Sequence, residues 1–262
     1  MFWSIAILKL CVLASSSSGN AIFIGTDRTR VVVDVGLSRR EMEARLFAIG
    51  EDPANLDAIL VTHEHSDHVT GLGVFSRKYK KPIYLTHLTE TAIDWEGIPC
   101  PRQTFQAGTG FSIGDLDIGS FTIPHDAIDP VGYVVRSQGV SCAVVTDLGY
   151  VPDSIKMHLR GVDALLLESN HNLEMLKVGP YPWSIKQRIM GRKGHLSNDA
   201  AFDFITTDMD SSVSTLILGH LSEHNNYPTL VEQMAEQALA QRGLKLRLHV
   251  AEPGKQSCIF DY

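Results

Sequence analysis

The chain has 262 residues, of which 44% are hydrophobic and 20% are charged, and its formal net charge is −7 at pH 7. This composition is typical of a globular protein with a sizeable core, and it excludes an intrinsically disordered chain. The net negative charge also excludes a protein that coats nucleic acid with a wholly basic surface. It does not exclude a local basic patch.

The N-terminus is interpreted as a short extension, residues 1–8, ahead of a first buried strand at Lys9–Ala14. A signal peptide is disfavoured because Lys9 lies inside the apolar stretch and no basic residue precedes it. The stretch is also too short to span a bilayer, so no membrane association is predicted. Four scattered cysteines without a C-x-x-C pair favour free structural thiols and a cytoplasmic location.

Short apolar runs rich in β-branched residues, each bounded by Gly, Asp or Pro, predict further strands. In chain order these are Ala21–Gly25, Arg30–Val35, Ala58–Thr62, Pro82–Thr86, Gly132–Arg136, Cys142–Thr146, Ala164–Glu168, Thr215–Leu218 and Leu246–Val250. Helical patterns alternate with them at Ser38–Ile49, Gly71–Tyr79, Ser184–Met190, Asp199–Thr206 and Thr229–Gln241.

The middle of the chain differs, because closely spaced Gly and Asp residues from Thr104 to Thr122 indicate antiparallel hairpins. Strands therefore come in two clusters, each followed by helices. Two sheets packed face to face with helices outside are the simplest layered arrangement of such elements. Because no linker interrupts the chain, a single domain is predicted over residues 1–262.

The strongest chemical signal directly follows the predicted strand at Ala58–Thr62. Residues 62–68 read THEHSDH, so three imidazoles and the Asp67 carboxylate fall within six residues. Neutral imidazole and carboxylate are ligands that zinc, manganese and iron accept. Six residues cannot close two metal sites, so further ligands are expected after other strands. The candidates, each just past an apolar run, are His125, Asp147 and His220.

This order, H-x-H-x-D-H followed by His, Asp and His, resembles the metallo-β-lactamase superfamily across almost the whole chain. The resemblance implies a four-layer αββα sandwich that binds two divalent ions, zinc or manganese with iron also accepted, at one sheet edge. It implies that the first ion is bound by His63, His65 and His125. The second ion would be bound by Asp67, His68 and His220, with Asp147 as a bridge and Asp67 also assigned to catalysis.

Four phrases resemble, within that superfamily, the compact nuclease-like bacterial branch of the YycJ/WalJ type. They are LASSSSGN at 13–20, ESNH at 168–171, GPYPW at 179–183 and GHLSN at 194–198. The chain departs from the branch at Ser16, where Gly is usual, and at Asn172, where Asp is usual. Neither position is a predicted metal ligand.

Residues 176–198 contain no acidic side chain but five basic ones, Lys177, Lys186, Arg188, Arg192 and Lys193. Such a patch binds phosphodiester backbones, and Tyr181 and Trp183 offer stacking surfaces for a nucleobase. A solvated helix face with Trp183 in the core explains the pattern equally well. The candidate substrate contacts are His171, Asn170, Tyr181, Lys186, Arg188 and Ser197.

His195, at the end of this segment, resembles a histidine that serves as proton donor or phosphate contact in related RNA-processing nucleases, and it is the predicted general acid. Together these features predict a phosphodiesterase or nuclease acting on DNA or RNA with a metal-activated hydroxide. Two alternatives stand. One is hydrolysis of a small cyclic phosphodiester, thioester, lactone or β-lactam, and the other is a non-catalytic metal-binding sensor. A homodimer is compatible with the sequence.

Overall fold

The structure, a computed structural model, describes residues 8–262. The predicted extension therefore lies outside the described residues except for Leu8, whose backbone N–H donates to the Tyr262 carbonyl at 3.2 Å. The first predicted strand is present and somewhat longer than expected.

Seven strands form the first sheet: β1 (Lys9–Ser16), β2 (Gly19–Gly25), β3 (Arg30–Val33), β4 (Ala58–Leu60), β5 (Ile83–Thr86), β6 (Arg102–Phe105) and β14 (Phe260–Asp261). Their order is β14-β1-β2-β3-β4-β5-β6. The pairs from β14 to β3 are antiparallel, whereas those from β3 to β6 are parallel. The sheet is therefore mixed.

Seven strands also form the second sheet: β7 (Gly110–Ile113), β8 (Leu116–Thr122), β9 (Val131–Ser137), β10 (Val140–Val145), β11 (Ala164–Glu168), β12 (Thr215–Gly219) and β13 (Arg247–Val250). Their order is β13-β12-β11-β10-β9-β8-β7, antiparallel from β7 to β10 and parallel from β10 to β13. The predicted hairpin is confirmed for β7 and β8. However, β6 pairs parallel to β5 in the other sheet, because the chain changes sheets between Phe105 and Gly110.

Nine α-helices lie in the described part of the chain: α1 (Arg39–Ala48), α2 (Ser66–Val69), α3 (Leu72–Tyr79), α4 (His87–Ala92), α5 (Asp153–His158), α6 (Leu173–Val178), α7 (Trp183–Ile189), α8 (Asn198–Thr207) and α9 (Pro228–Arg242). The five predicted helices are confirmed. The other four have four to six residues each, too few to show a helical period in the sequence. Within residues 8–262, no helix has the length and hydropathy needed to cross a membrane.

The core has three apolar layers. Tyr133 and Ile217 belong to the layer between the two sheets. Met42 of α1 packs on the outer face of the first sheet, and Ile205 of α8 and Val231 of α9 pack on that of the second. Each fully buried aliphatic side chain contributes about 1.5–3 kcal/mol. The observed architecture is the four-layer αββα sandwich that was expected.

Parallel pairing places several strand ends at one edge of the sandwich. In the second sheet Val145 is paired with Leu167, and Leu167 is paired with Leu218. The residues that follow β10, β11 and β12 therefore leave the sheet side by side. In the first sheet β3 and β4 are likewise parallel, so Asp34 and the segment from Thr62 emerge together. This edge is where the predicted metal ligands lie.

Candidate metal centre

The structure brings the seven predicted ligands together in two groups. His63, His65 and His125 form one group, and Asp67, His68, Asp147 and His220 form the other. Within each group the potential ligand atoms lie within 4.8 Å of one another. The loop after β4 and the short helix α2 supply four of these side chains, while β8, β10 and β12 supply one each at their carboxyl ends.

Hydrogen bonds on the outer side of the imidazole rings orient them. The Nδ1 atom of His68 lies 2.7 Å from Asp34 Oδ2, and that of His220 lies 2.8 Å from Glu168 Oε1. The Nδ1 atom of His125 lies 3.1 Å from the carbonyl oxygen of Gly194. In metalloproteins this arrangement holds the ring while the second nitrogen faces the ion. The Nε2 atoms of these three rings face the interior of the cluster, each 3.3–3.9 Å from a carboxylate oxygen of Asp147.

Asp34 was not predicted from the sequence. Its Oδ1 accepts a hydrogen bond from the Thr62 backbone N–H at 2.8 Å, and its Oδ2 accepts from the Thr62 hydroxyl at 2.8 Å and faces His68. The side chain is 1% exposed. Asp34 thereby joins the end of β3 to the histidine-rich loop. Its only signal in the sequence is a carboxylate directly after an apolar strand.

Three residues of the candidate metal centre have a left-handed backbone conformation. Asp34, Asp147 and His220 have φ angles of 63°, 62° and 56°. Such angles are unfavourable for residues with a Cβ atom, least so for Asp and His among them, and they cluster at functional sites. All three residues lie within two positions of the end of a strand, β3, β10 or β12.

Glu168 is a second residue that the sequence did not single out as part of the site. It is fully buried, and its Oε1 lies 2.8 Å from Nδ1 of both His195 and His220. Its Oε2 accepts hydrogen bonds from the backbone N–H groups of Leu148 at 2.9 Å and Leu196 at 3.0 Å. Burial opposes ionisation, but the two imidazoles outweigh it and lower the pKa of Glu168 to about 2.

Carboxylates and imidazoles strongly shift each other's pKa values at this site. Burial disfavours a charged ring at His220, but Asp147, Asp67 and Glu168 raise its pKa to about 10. His68 shows the same competition, and the carboxylates of Asp147 and Asp34 raise its pKa well above its ordinary value. The buried carboxylates therefore attract positive charge into this cluster.

His63 responds in the opposite direction, since burial and then the charge on His68 lower its pKa well below the ordinary value. Its Nε2 atom is buried and has no hydrogen-bond partner among residues 8–262. A buried nitrogen without a partner is costly unless a ligand satisfies it. This lone pair, together with the surrounding imidazoles and carboxylates, fits divalent metal ions.

A cavity of about 300 Å³ opens beside the cluster. It is lined by Ser17, His65, Ser66, Asp67, Asp147, Arg188, His195 and His220. The side chains of Asp67 and His195 are 21% and 18% exposed, whereas His63, His68, His125, Asp147 and His220 are at most 2% exposed. A reacting group must therefore enter the cavity to reach the buried ligands. A larger cavity of about 850 Å³ lies beside α9 and β13 and contains none of the predicted site residues.

Among the predicted substrate contacts, Arg188 lines this cavity. Its guanidinium pairs with the Asp126 carboxylate through two nitrogens, with Nη2 3.1 Å from Oδ1. Lys186 is instead buried, and its ammonium donates to the carbonyl of Lys177 at 2.7 Å. The Lys186 amine thus already has a partner inside the fold. Its assignment as a substrate contact stays a prediction that this burial does not favour.

The other candidate contacts do not line the cavity. The Asn170 amide donates to the His220 carbonyl at 2.8 Å, and His171 is buried with Nδ1 3.3 Å from Asn170 Oδ1. The Ser197 hydroxyl caps α8 by accepting from the Ala200 N–H at 3.2 Å. Tyr181 is half-buried, with its ring 5.9 Å from that of His224.

Trp183 is 62% exposed, so the interpretation that placed this side chain in the core is wrong. The two departures from the branch pattern are also explained. Asn172 caps α6 by accepting from the Met175 N–H at 3.0 Å, a task that Asp performs equally well. Ser16 is not among the residues with a positive φ, so its turn does not require glycine.

Comparison with known proteins agrees with this architecture. Residues 29–221 match the β-lactamase superfamily domain. The chain is 40% identical over 240 residues to the exodeoxyribonuclease YycJ of Bacillus anthracis, and 37% identical over 241 residues to the exodeoxyribonuclease WalJ of Streptococcus pneumoniae serotype 2. Each alignment covers 90% of both proteins.

Two solved structures show a similar fold. The metallo-β-lactamase fold protein YhfI of Bacillus subtilis has a TM-score of 0.73 and 17% identity, over 98% of this chain and 100% of that one. The Zn²⁺-bound PqqB of Methylobacterium extorquens has a TM-score of 0.69 and 16% identity, over 95% of this chain and 99% of that one.

Proposed function

Because the chain belongs to the β-lactamase superfamily, and within it to the branch that contains YycJ and WalJ, we propose that it is a metal-dependent exodeoxyribonuclease. The observation that carries this proposal is the cavity in which Arg188 and His195 face both ligand groups. A cation, a proton donor and a metal centre around one small space are what phosphodiester hydrolysis requires.

We assign one divalent ion, zinc or manganese with iron also compatible, to His63, His65 and His125. A second ion would lie between Asp67, His68 and His220, with Asp147 bridging the two. The grouping of ligand atoms and the unpartnered Nε2 of His63 support this assignment. When bound, such ions act as Lewis acids and lower the pKa of coordinated water toward neutrality.

His195 is the proposed proton donor to the leaving sugar oxygen. Its Nδ1 faces Glu168 at 2.8 Å, which leaves Nε2 as the nitrogen available to a substrate in the cavity. Glu168 holds the ring in this orientation and stabilises the imidazolium form. Arg188 is the proposed contact to a non-bridging phosphate oxygen, and Asp126 keeps its guanidinium at the cavity wall.

Small-molecule hydrolysis on the same centre is the competing function, because the same chemistry can act on a carbonyl. The cation at the cavity wall weighs against a neutral lactone, which has no charge for Arg188 to bind, and the exodeoxyribonuclease relatives weigh against a β-lactam with a carboxylate. We also propose a cytoplasmic location, which the four free thiols support.

A substrate panel tests the proposed function. Protein loaded with zinc or manganese would be given end-labelled DNA, end-labelled RNA, bis(4-nitrophenyl) phosphate and nitrocefin. We expect DNA to be degraded from its ends and nitrocefin to stay intact. Intact DNA under every metal condition, with turnover of a small ester or lactam, would overturn the proposal. The exposed His87→Ala variant serves as a control for substitution of a histidine outside the cluster.

A further inference from the structure

We infer that the hairpin of α6 and α7, residues 173–189, binds unpaired nucleotides of the strand being cleaved, with Trp183 as a base-stacking side chain. The inference rests on the proposed function and names the form of DNA that the site takes. Four observations carry it: exposed apolar side chains, a rigid attachment, continuity with the cavity, and the local charge.

Apolar side chains are unusually exposed on this hairpin. Val178 is 85% exposed, Trp183 62% and Ile185 39%. In α7 only Lys186 is buried, so this short helix stands against the protein along one side and faces solvent on the others. Trp95, by contrast, is half-buried, and its indole N–H donates to the Glu90 carbonyl at 2.8 Å. A large aromatic side chain left in solvent indicates a binding surface.

The hairpin is firmly attached to the domain. The buried Lys186 ammonium ties α7 to the end of α6 through the Lys177 carbonyl. Gly179, between the helices, packs so closely that an added Cβ would lie 2.4 Å from Asn225 Oδ1. The backbone that carries the exposed side chains is therefore held in place before a ligand arrives, which lowers the entropic cost of binding.

The same helix reaches the cavity. Arg188 lines the cavity and shares a face of α7 with Ile185, three residues earlier. Trp183 precedes Arg188 by five residues, about 7.5 Å along the helix axis. Phosphates of one strand are about 3.4 Å apart along a duplex and farther apart in an extended strand. Five residues also turn the helix by about 140°, so a strand with a phosphate at Arg188 passes partly around α7 and reaches Trp183 within a few nucleotides.

Charge and shape together favour unpaired nucleotides over a protein partner. Residues 176–198 contain five basic and no acidic side chains. Lys177 pairs with Glu174 and Arg188 with Asp126, while the Arg192 guanidinium lies 4.4 Å from the Tyr150 ring centroid. Among the described residues, no carboxylate pairs with Arg192 or Lys193, so the segment keeps two cations that are not neutralised in addition to the exposed indole of Trp183. Cations together with an exposed aromatic plane bind single-stranded nucleic acid. In a duplex, neighbouring base pairs already cover the faces of the bases.

Binding without turnover tests the inference. Intrinsic fluorescence would be titrated with oligo(dT) and with an abasic oligomer of equal length, in the presence of a chelator so that cleavage is absent. We expect oligo(dT) to quench the fluorescence of Trp183, which is the part of the emission that the Trp183→Phe variant lacks. The abasic oligomer should quench this part only slightly. Trp183→Ala should weaken oligo(dT) binding by about 5- to 150-fold, as for other stacked bases, while Trp183→Phe keeps most of the affinity.

Matched controls separate stacking from other effects. Phe47→Ala removes an aromatic side chain that is 58% exposed on α1, and it should leave affinity unchanged. Arg188→Gln should reduce the slope of log affinity against log salt by about 0.7, the loss of one phosphate contact to a single strand. Equal affinities of Trp183→Ala and Phe47→Ala would overturn the inference.

Two further outcomes separate this inference from the proposed function. Loss of a wild-type dimer in Trp183→Ala, with unchanged oligonucleotide affinity, would assign the surface to a second copy and overturn the inference. Tight, Trp183-dependent binding by a protein that leaves all DNA intact would support the inference and overturn the proposed function. Degradation of DNA, together with oligonucleotide binding that does not depend on Trp183, would support the proposed function and overturn the inference.

Discussion

The Oε1 atom of Glu168 lies 2.8 Å from the Nδ1 atom of His220, and the same oxygen lies 2.8 Å from Nδ1 of His195. One fully buried carboxylate thus orients a proposed metal ligand and the proposed proton donor at once. The backbone N–H groups of Leu148 and Leu196 hold its other oxygen. Changes at Glu168 should therefore affect metal binding and proton transfer together.

Glu168→Gln tests this coupling. An amide cannot accept hydrogen bonds at both ends, so either the imidazoles or the two backbone N–H groups lose their partner. We expect metal affinity to fall about 10- to 100-fold, as for other groups that orient metal-bound histidines. Metal content after equilibrium dialysis is the measurement. Glu174→Gln, at an exposed position of α6, is the control, and equal metal content in both variants would contradict the coupling.

His195→Ala should separate proton transfer from metal binding. If the ring donates a proton, kcat on DNA falls about 100- to 10,000-fold, the usual range for loss of a general acid. The content of bound metal should stay at the wild-type level, because the proposed ligand groups do not include His195. His195 does lie near Asp147, Glu168 and His220 in a further group of potential ligands. Loss of one metal equivalent in the variant would make His195 a ligand instead.

Asp34 should matter for stability although it does not line the cavity. Asp34→Ala leaves the buried His68 ring without its 2.7 Å partner and places alanine at a φ of 63°. Breaking a buried pair typically costs about 3–5 kcal/mol. We expect a loss of that size in the free energy of unfolding from urea titration of metal-free protein. Asparagine tolerates this backbone conformation, so the Asp34→Asn variant should lose less free energy of unfolding than Asp34→Ala. Equal losses in the two variants would contradict a contribution from backbone strain.

Thiol reactivity should follow burial. Cys11, Cys100 and Cys142 are buried and Cys258 is exposed. Burial raises the pKa of Cys11 and Cys100, and raises that of Cys142 to about 12, so these thiols stay protonated at pH 8. Titration with Ellman's reagent at pH 8 should therefore show one fast thiol per chain and four after denaturation. Two fast thiols, or a fast thiol in the Cys258→Ser variant, would contradict this order.

The fold and the ligand loop were predictable because both leave local signals. Three histidines and an aspartate after one apolar strand are rare, and short apolar runs predicted most of the strands in the two sheets. Asp34 left no comparable signal, because a single carboxylate at a strand end is common. Glu168 lies in the ESNH phrase of the resemblance, but its role depends on which imidazoles pack against it, and the sequence does not show that. Lys186 shows the converse, because its assignment as a substrate contact stays a prediction that its burial does not favour. A basic residue in a basic segment predicts a surface contact, but its amine is buried against a carbonyl.

The central claim, metal-dependent cleavage of DNA from an end, is tested most directly by comparing linear DNA with the same sequence as a covalently closed circle. With zinc or manganese supplied, we predict that the linear form is converted to mononucleotides while the circle stays closed. A chelator should abolish the reaction, and restored metal should recover it. Cleavage of both forms at equal rates, or degradation of linear DNA that persists in the chelator, would contradict the account.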